Sequence, residues 1–397
     1  MSRINAGLVS DANRIAPRMV ANRRAIHANP ELGIDNPDTQ ARIVEELRRI
    51  GVEDLRTGTK LTSVIAEIRG TGQGAGADRR VVLRADTDAL PLTEHNVADW
   101  ASAREGRMHA CGHDAHVAML LGAAEILSAN RDAFAGSVRL FFQPGEEGYG
   151  GARLMIEEGA LDGVDAAFGI HVETSREPGT VWMKPGTIMA STDEFVITFK
   201  GSGGHASMPH HAVDPIPAIG PFVDALSHAA ARETDPDDRV VYSVTKVKAG
   251  TAFNVIPHEA KVGGTIRALS VKGRTLAEER LRRIAAGIAA VRGLEVEVSL
   301  HRGYPPTVNH LEPTGLVREA VAGTGLRACE LPSPVMGAED FSYVLEQVPG
   351  AFVFLGASVP DGGPLHSDKM KLDESVLPLG ALLHVAAAFA LLENESS

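Results

Sequence analysis

The sequence predicts an α/β fold, a largely parallel sheet flanked by helices, carrying an inserted, smaller α+β domain of ferredoxin-like type. Three observations predict it. Short apolar runs alternate with helical periodicity as far as about residue 186, separate runs of alternating residues with two helices among them fill Asp193 to Leu300, and the first texture returns beyond His301. The chain is therefore read as residues 1–186, the first part of the main domain, 187–300, the insertion, and 301–397, the second part.

Asp11 to Ile50 has helical periodicity with Arg- and Glu-rich polar faces, and the turn-forming NPELG around Pro30 and Gly33 divides it into two helices. Ser63 to Ile68, Val81 to Ala85, Val138 to Phe142 and Ala166 to Ile170 read as strands, with helices at Ala115 to Ser128 and Ala152 to Glu158. In such a layer ligands gather beyond the C-terminal ends of the strands. The glycine-rich GTGQGAGA, Gly70 to Ala77, superficially has the look of a dinucleotide fingerprint, but DRRVVLRAD after it forms a strand instead of opening a helix. It is read as a flexible hairpin loop.

The insertion runs strand Asp193 to Phe199, helix Pro215 to Arg232, strands Val240 to Lys248 and Lys261 to Leu269, helix Thr275 to Val291 and strand Leu294 to Leu300, the split βαβ order. Thr314 to Gly323 is then helical, and Ala351 to Leu355 a buried strand. Val376 to Leu392 is the nearest thing to a membrane span, but Pro378, Gly380 and His384 interrupt it and it falls short of about 20 apolar residues, so it is read as a buried helix.

Of 397 residues, 44% are apolar and 23% charged, which excludes a disordered or fibrous chain. The net charge of −12, with no dense Lys/Arg cluster, disfavours nucleic acid and anionic membrane surfaces as partners. Two cysteines cannot form a disulfide framework, and the first twenty residues hold no apolar core of the length a secretion signal needs, so a cytoplasmic location with reduced thiols is expected.

Metal-binding residue types sit at or beyond the ends of the apolar runs. RADTDALP places Asp86 and Asp88 after one strand, MHACGHDAH places Cys111, His113 and Asp114 before a helix, QPGEE places Glu146 and Glu147 after another strand, FGIH delivers His171, and PLHSD delivers His366. A thiolate, three imidazoles and a carboxylate exceed what one tetrahedral ion takes from protein, but suit two ions sharing a bridge. Each residue alone would be an ordinary core or surface group; the combination points to metal. In Cys111-Gly112-His113 the spacing sends both side chains to one side of an extended loop. Neighbouring Glu146 and Glu147 point apart, so one can hold metal while the other accepts a proton from water. No G-x-S-x-G elbow supports a serine hydrolase.

RRAIHANPELG, RADTDALP, GRMHACGHDAH, QPGEEGYGGARLMIEEG, FGIH, GSGGHASMPH, GTAFNVIP and MGAEDFSY followed by PLHSD resemble, in order and spacing, the aminoacylase and hippurate hydrolase family. That family includes plant hydrolases releasing indoleacetic acid from amino-acid conjugates and is distantly related to the glutamate carboxypeptidases, which are zinc exopeptidases. The resemblance implies that Cys111 bridges two ions, that His113 and His171 hold one and Glu147 and His366 the other, that Glu146 is the general base, and that Asp86 is a carboxylate orienting a ligand. It implies that His205 stabilises an oxyanion in a partner subunit's site, that Asn254 and Arg267 bind substrate, and that the insertion serves as lid and dimerisation domain. Gly145 and Thr87 stand where Ala and Met are commoner, and touch no ligand position.

The expected activity is hydrolysis of N-acyl amino acids by two divalent ions, zinc or manganese with cobalt or nickel also compatible, the acyl group being open. The alternative is an exopeptidase, a dipeptidase or carboxypeptidase, on the same dinuclear site. A binding protein that has lost catalysis is disfavoured by the intact Glu146 and Glu147.

Overall fold

The side chain of Asn5 accepts from the backbone N–H groups of Gly7 and Leu8, which starts helix α1 (Ala6–His27). The computed structural model describes residues 4–74 and 76–394. These divide into two units: one runs to Ile188 and resumes at Val308–Ser333 and from Asp340, the other is Met189–Thr307 with Pro334–Glu339.

In the first unit, α1 is followed by α2 (Pro37–Arg49), β1 (Leu55–Thr57), β2 (Val64–Arg69), β3 (Arg80–Asp86), α3 (His113–Ala129), β4 (Ser137–Gln143), α4 (Gly151–Glu157), β5 (Ala166–Glu173), β6 (Thr180–Met183) and β7 (Gly186–Met189). The second unit contributes β8 (Asp193–Lys200), β9 (Gly204–His205), α5 (Ile219–Arg232), β10 (Val240–Ala249), β11 (Val255–Ile256), β12 (Glu259–Ala268), α6 (Val271–Arg292) and β13 (Glu295–Arg302). The chain then forms β14 (Thr307–Asn309), α7 (Leu311–Val321), β15 (Arg327–Glu330), α8 (Ser342–Leu345), β16 (Gly350–Gly356) and α9 (Leu377–Leu392).

The main sheet has the order β1-β2-β4-β3-β5-β16-β6-β15. Its centre is parallel: β4 with β3, β3 with β5 and β5 with β16, while β1, β2 and β6 add antiparallel pairings. These central strands are buried along their length because helices cover the sheet. α3 and α9 are apolar nearly all round and accordingly buried nearly all round. The stretch Glu374–Leu392 is long and apolar enough to cross a membrane, but most of it is packed inside the protein.

Parallel pairing puts Asp86 opposite Gln143 and His171 opposite Phe354, so the ends of β3, β4, β5 and β16 lie along one edge. That edge carries the site.

The glycine-rich loop after β2 does not close a hairpin. β2 and β3 are not neighbours, since β4 lies between them and pairs with both. A fully buried strand needs a partner on each side, and β4 takes both. The loop is pinned as well: the Gly70 and Gly72 N–H groups bond the Gly136 and Phe134 carbonyls, and a Cβ at Gly70 would meet the Phe134 carbonyl oxygen at 2.2 Å. Ala75 lies outside the described residues.

The second unit is an antiparallel sheet, β10-β12-β8-β13, packed against α5 and α6. Phe195, Ile197, Phe199, Phe222, Leu226 and Leu281 form its core. β13 continues to Arg302, opposite Asp193, and Gly303 donates its N–H to the Thr192 carbonyl, so the unit extends a few residues past position 300. The short strands β1, β6, β7, β9, β11, β14 and β15 carry too few residues to announce themselves by periodicity.

Candidate metal centre

Cys111, Gly112 and His113 form the entry to α3, and Gly112 there is left-handed, φ 84°. The loop is thus sharply turned instead of extended. A Cβ at Gly112 would lie 2.3 Å from Val172 Cγ2, so only glycine lets the segment press against the end of β5. The thiol and the imidazole meet His171 in this way: one ligand atom from each of Cys111, His113 and His171 lies within 4.8 Å of the others.

A second group shares the same sulfur. Cys111, Glu147 and His366 also have ligand atoms within 4.8 Å of one another. The Cys111 Sγ stands 3.3 Å from His171 Nε2 and 3.3 Å from His366 Nε2, and His366 Nε2 stands 3.3 Å from Glu147 Oε1. His366 has φ 64°, rare for a residue with a Cβ, and its N–H is fixed by a 2.8 Å bond to the Ala110 carbonyl. Strained backbone thus aims the imidazole at the sulfur.

Tautomers follow from the partners. His113 Nδ1 donates to the Asp88 carbonyl at 2.8 Å and His171 Nδ1 to the Val172 carbonyl at 2.7 Å, so in the neutral rings Nε2 is the nitrogen with the lone pair. His113 Nε2 is buried and makes no hydrogen bond. A bare buried nitrogen beside a thiol and carboxylates is what a cation would complete.

The field has the same sense. Burial disfavours charge on His113, yet Asp86, Asp88 and Glu147 push its pKa up to about 10. Burial, Glu147, Glu146 and Asp86 hold the Cys111 thiol well above the usual range. Burial opposes ionisation of Glu147, but His366 and His113 bring its carboxyl below the ordinary value. The centre favours positive charge and would yield a thiolate only to a cation.

Glu146 is buried beside Glu147, and one oxygen of each lies within 4.8 Å of a His113 nitrogen. Asp88, which sequence reasoning placed near the site but gave no role, holds this turn: its carboxylate accepts from the N–H of Glu146 at 2.9 Å and of Glu147 at 3.0 Å. The signal was the D-x-D spacing at the end of β3, which puts two carboxylates on one side of the chain.

Asp86 is fully buried, bonded to Arg84 Nη1 at 2.6 Å and to His116 Nδ1 at 2.5 Å. Although burial works against it, Arg84, His113 and His116 hold its carboxyl well below the usual range. Its oxygen lies 3.4 Å from His113 Nε2, so the orienting bond on His113 comes from Asp88 and not from Asp86.

His205, Asn254 and Arg267 belong to the second unit. His205 and Asn254 line one groove of about 680 Å³, brought together by the pairing of β9 with β11, whereas Arg267 on β12 is not among its lining residues. His205 Nδ1 accepts the Ser207 N–H at 3.2 Å, so in the neutral ring the exposed Nε2 carries the proton. Burial lowers the Arg267 pKa, opposed by Asp193 and Glu194.

Residues 82–390 match the sequence model of peptidase family M20/M25/M40. The chain is 42% identical over 388 residues to thermostable carboxypeptidase 2 of Saccharolobus solfataricus, covering 96% of this chain and 97% of that protein. It is 41% identical over 386 residues to IAA-amino acid hydrolase ILR1-like 2 of Arabidopsis thaliana, covering 96% and 86% respectively. A solved structure from Bacillus subtilis, described as a dinuclear metal binding peptidase from the M20 family, superposes with a TM-score of 0.85 at 35% identity, covering 96% of this chain and 99% of that one.

Proposed function

Because the chain belongs to peptidase family M20/M25/M40, we propose that it is a metal-dependent amidohydrolase cleaving the amide bond of N-acyl amino acids to a carboxylic acid and a free amino acid. One observation carries this reading: two donor groups, Cys111-His113-His171 and Cys111-Glu147-His366, share a single sulfur. His113 and His171 would hold one divalent ion and Glu147 and His366 the other, with the Cys111 sulfur within reach of both. Thiolate and imidazole donors suit zinc, and manganese, cobalt or nickel are compatible. Bound there, the ions supply Lewis acidity and lower the pKa of a water.

The chain's own residues do the rest. Glu146 takes the proton of the attacking water and returns it to the leaving amine. Asp88 holds the peptide segment that aims Glu146 and Glu147. His205 donates its Nε2–H to the oxyanion in a partner subunit's site, a role its tautomer supports, while Asn254 and Arg267 bind substrate, the planar guanidinium suiting a carboxylate. The enzyme is a cytoplasmic homodimer paired through the second unit, supported by unpaired Cys111 and Cys329 and by edge strand β10, which exposes Val241 and Val247.

A second reading, an exopeptidase on unblocked peptides, is favoured by the likeness to a carboxypeptidase. Assaying acetyl- and benzoyl-amino acids against free dipeptides, with and without chelator, separates the two. Chelator-sensitive cleavage of the acylated substrates is expected; equal cleavage after exhaustive chelation would overturn the metal reading, and turnover confined to free dipeptides the substrate class.

A further inference from the structure

The run MHACGHDAH holds a third histidine, His116, with no part in either donor group that shares Cys111. It lies one turn after His113 on the same face of α3, and the two rings stack with centroids 5.4 Å apart. It is 1% exposed, and its ring meets that of His171 edge-on at 4.8 Å.

Both of its nitrogens are engaged. The Val172 N–H donates to His116 Nε2 at 2.9 Å, and a backbone N–H can only donate, so Nε2 is the bare nitrogen and Nδ1–H donates to Asp86 Oδ1 at 2.5 Å. Although Asp86, His113 and His116 have ligand atoms within 4.8 Å, His116 therefore has no lone pair to spare for an ion there. Behind Asp86 stands Arg84, wholly buried, whose guanidinium also donates to Gln143 Oε1 at 2.9 Å and Asp340 Oδ1 at 3.0 Å. Three strand ends and the segment at Asp340 are thereby tied to one carboxylate.

The chain continues forward to a ligand. Val172, whose N–H is held by His116, accepts His171 Nδ1–H on its carbonyl at 2.7 Å. We propose that His116 is a positioning residue for His171: through the Arg84-Asp86-His116 relay it fixes the Val172 backbone by its N–H, and the Val172 carbonyl on the following peptide holds the His171 ring so that Nε2 faces Cys111 at 3.3 Å. The inference rests on the dinuclear reading and deepens it, since it assigns the His116 relay to the ion held by His113 and His171 and gives it no part in the one held by Glu147 and His366.

The test measures metal equivalents retained after dialysis, and the affinity for each ion by chelator competition, in the full-length protein with zinc as probe. Wild type is expected to hold two ions. His116→Leu is expected to lose about 10- to 100-fold in affinity for one ion while keeping the other. His116→Gln, whose carbonyl can accept the Val172 N–H, is expected to recover most of that loss. His116→Asn, which reaches Asp86 but falls short of Val172, is expected to recover little. If the Leu variant does not fold, the Gln and Asn variants decide by their order. Equal affinity for both ions in all variants, equal weakening of both ions, or Asn outperforming Gln would overturn the proposal. A wild-type protein that binds no metal would instead overturn the dinuclear reading, and this inference with it.

Discussion

The backbone carbonyl of Asp88 accepts the Nδ1–H of His113 at 2.8 Å, while its carboxylate, 3.6 Å from the same nitrogen, accepts the N–H groups of Glu146 and Glu147. One residue thus serves two segments through different atoms. A side-chain substitution spares the carbonyl and removes the glutamate contacts together with the negative charge beside His113. Asp88→Ala should therefore retain the His113 geometry but loosen the glutamate turn, lowering kcat about 10- to 100-fold. Asp88→Asn, which keeps one acceptor oxygen, should lie between. Steady-state kinetics alongside metal content check this; an unchanged kcat in Asp88→Ala would show that the turn holds its shape without the carboxylate.

Glu146→Gln keeps the size of the side chain and abolishes the base. Glu146 belongs to neither donor group that shares Cys111, so metal content should match wild type. Turnover of acylated amino acids should fall by about 10² to 10⁴. Loss of metal together with activity would instead make Glu146 a ligand.

The ligand set was legible because its residue types are chemically distinctive and sit at strand ends, as Glu147 does beyond β4 and His171 within β5. What the sequence hid was the second rank of bonds. Asp86 and Asp88 look equivalent as letters, yet which one reaches His113 depends on the end of β3 and the position of α3, a tertiary matter. His116 was invisible for the same reason, its partner being a backbone N–H 56 residues away. The loop after β2 misled because sequence adjacency suggests pairing, whereas sheet order is set by β4.

Gly112→Ala tests the tight approach of α3 to β5. The methyl would stand 2.3 Å from Val172 Cγ2, at a φ of 84° that alanine resists. A loss of about 1–3 kcal/mol is expected from the backbone alone, with weaker metal retention because Val172 must move. Gly148→Ala is the control: its φ is 91° but a Cβ meets nothing within 4 Å, so it should cost strain without displacing a neighbour. Denaturant midpoints with and without zinc compare the two. A similar loss of metal affinity in both variants would remove the clash from the explanation.

Asp114 follows His113 but faces the other way, accepting from Arg23 Nε at 2.9 Å and His27 Nδ1 at 2.8 Å, all three nearly inaccessible to water. Arg23 also donates to Glu374 and lies 4.4 Å from the Trp100 ring centroid. Removing one member leaves buried charge uncompensated, so Asp114→Ala should destabilise the protein by about 3–5 kcal/mol. Urea unfolding measures it, and a change under about 1 kcal/mol would show that the cations find other partners.

His384 sits in α9 with no exposed surface to speak of, its ring edge-on to Phe168. Burial and the nearby His116 lower its pKa from 6.5 to about 3. Below pH 6.5 the unfolded chain binds a proton that the native ring refuses, so this residue withdraws stability progressively as pH falls from 6.5 to about 3. His384→Leu removes that contribution while keeping an apolar side chain in the core. The stability of the variant relative to wild type should therefore rise as the pH is lowered from 7 to 4.5, every other titrating group being common to both proteins. Urea midpoints at the two pH values measure the change, and an identical difference at both would mean that His384 does not titrate between the folded and unfolded states.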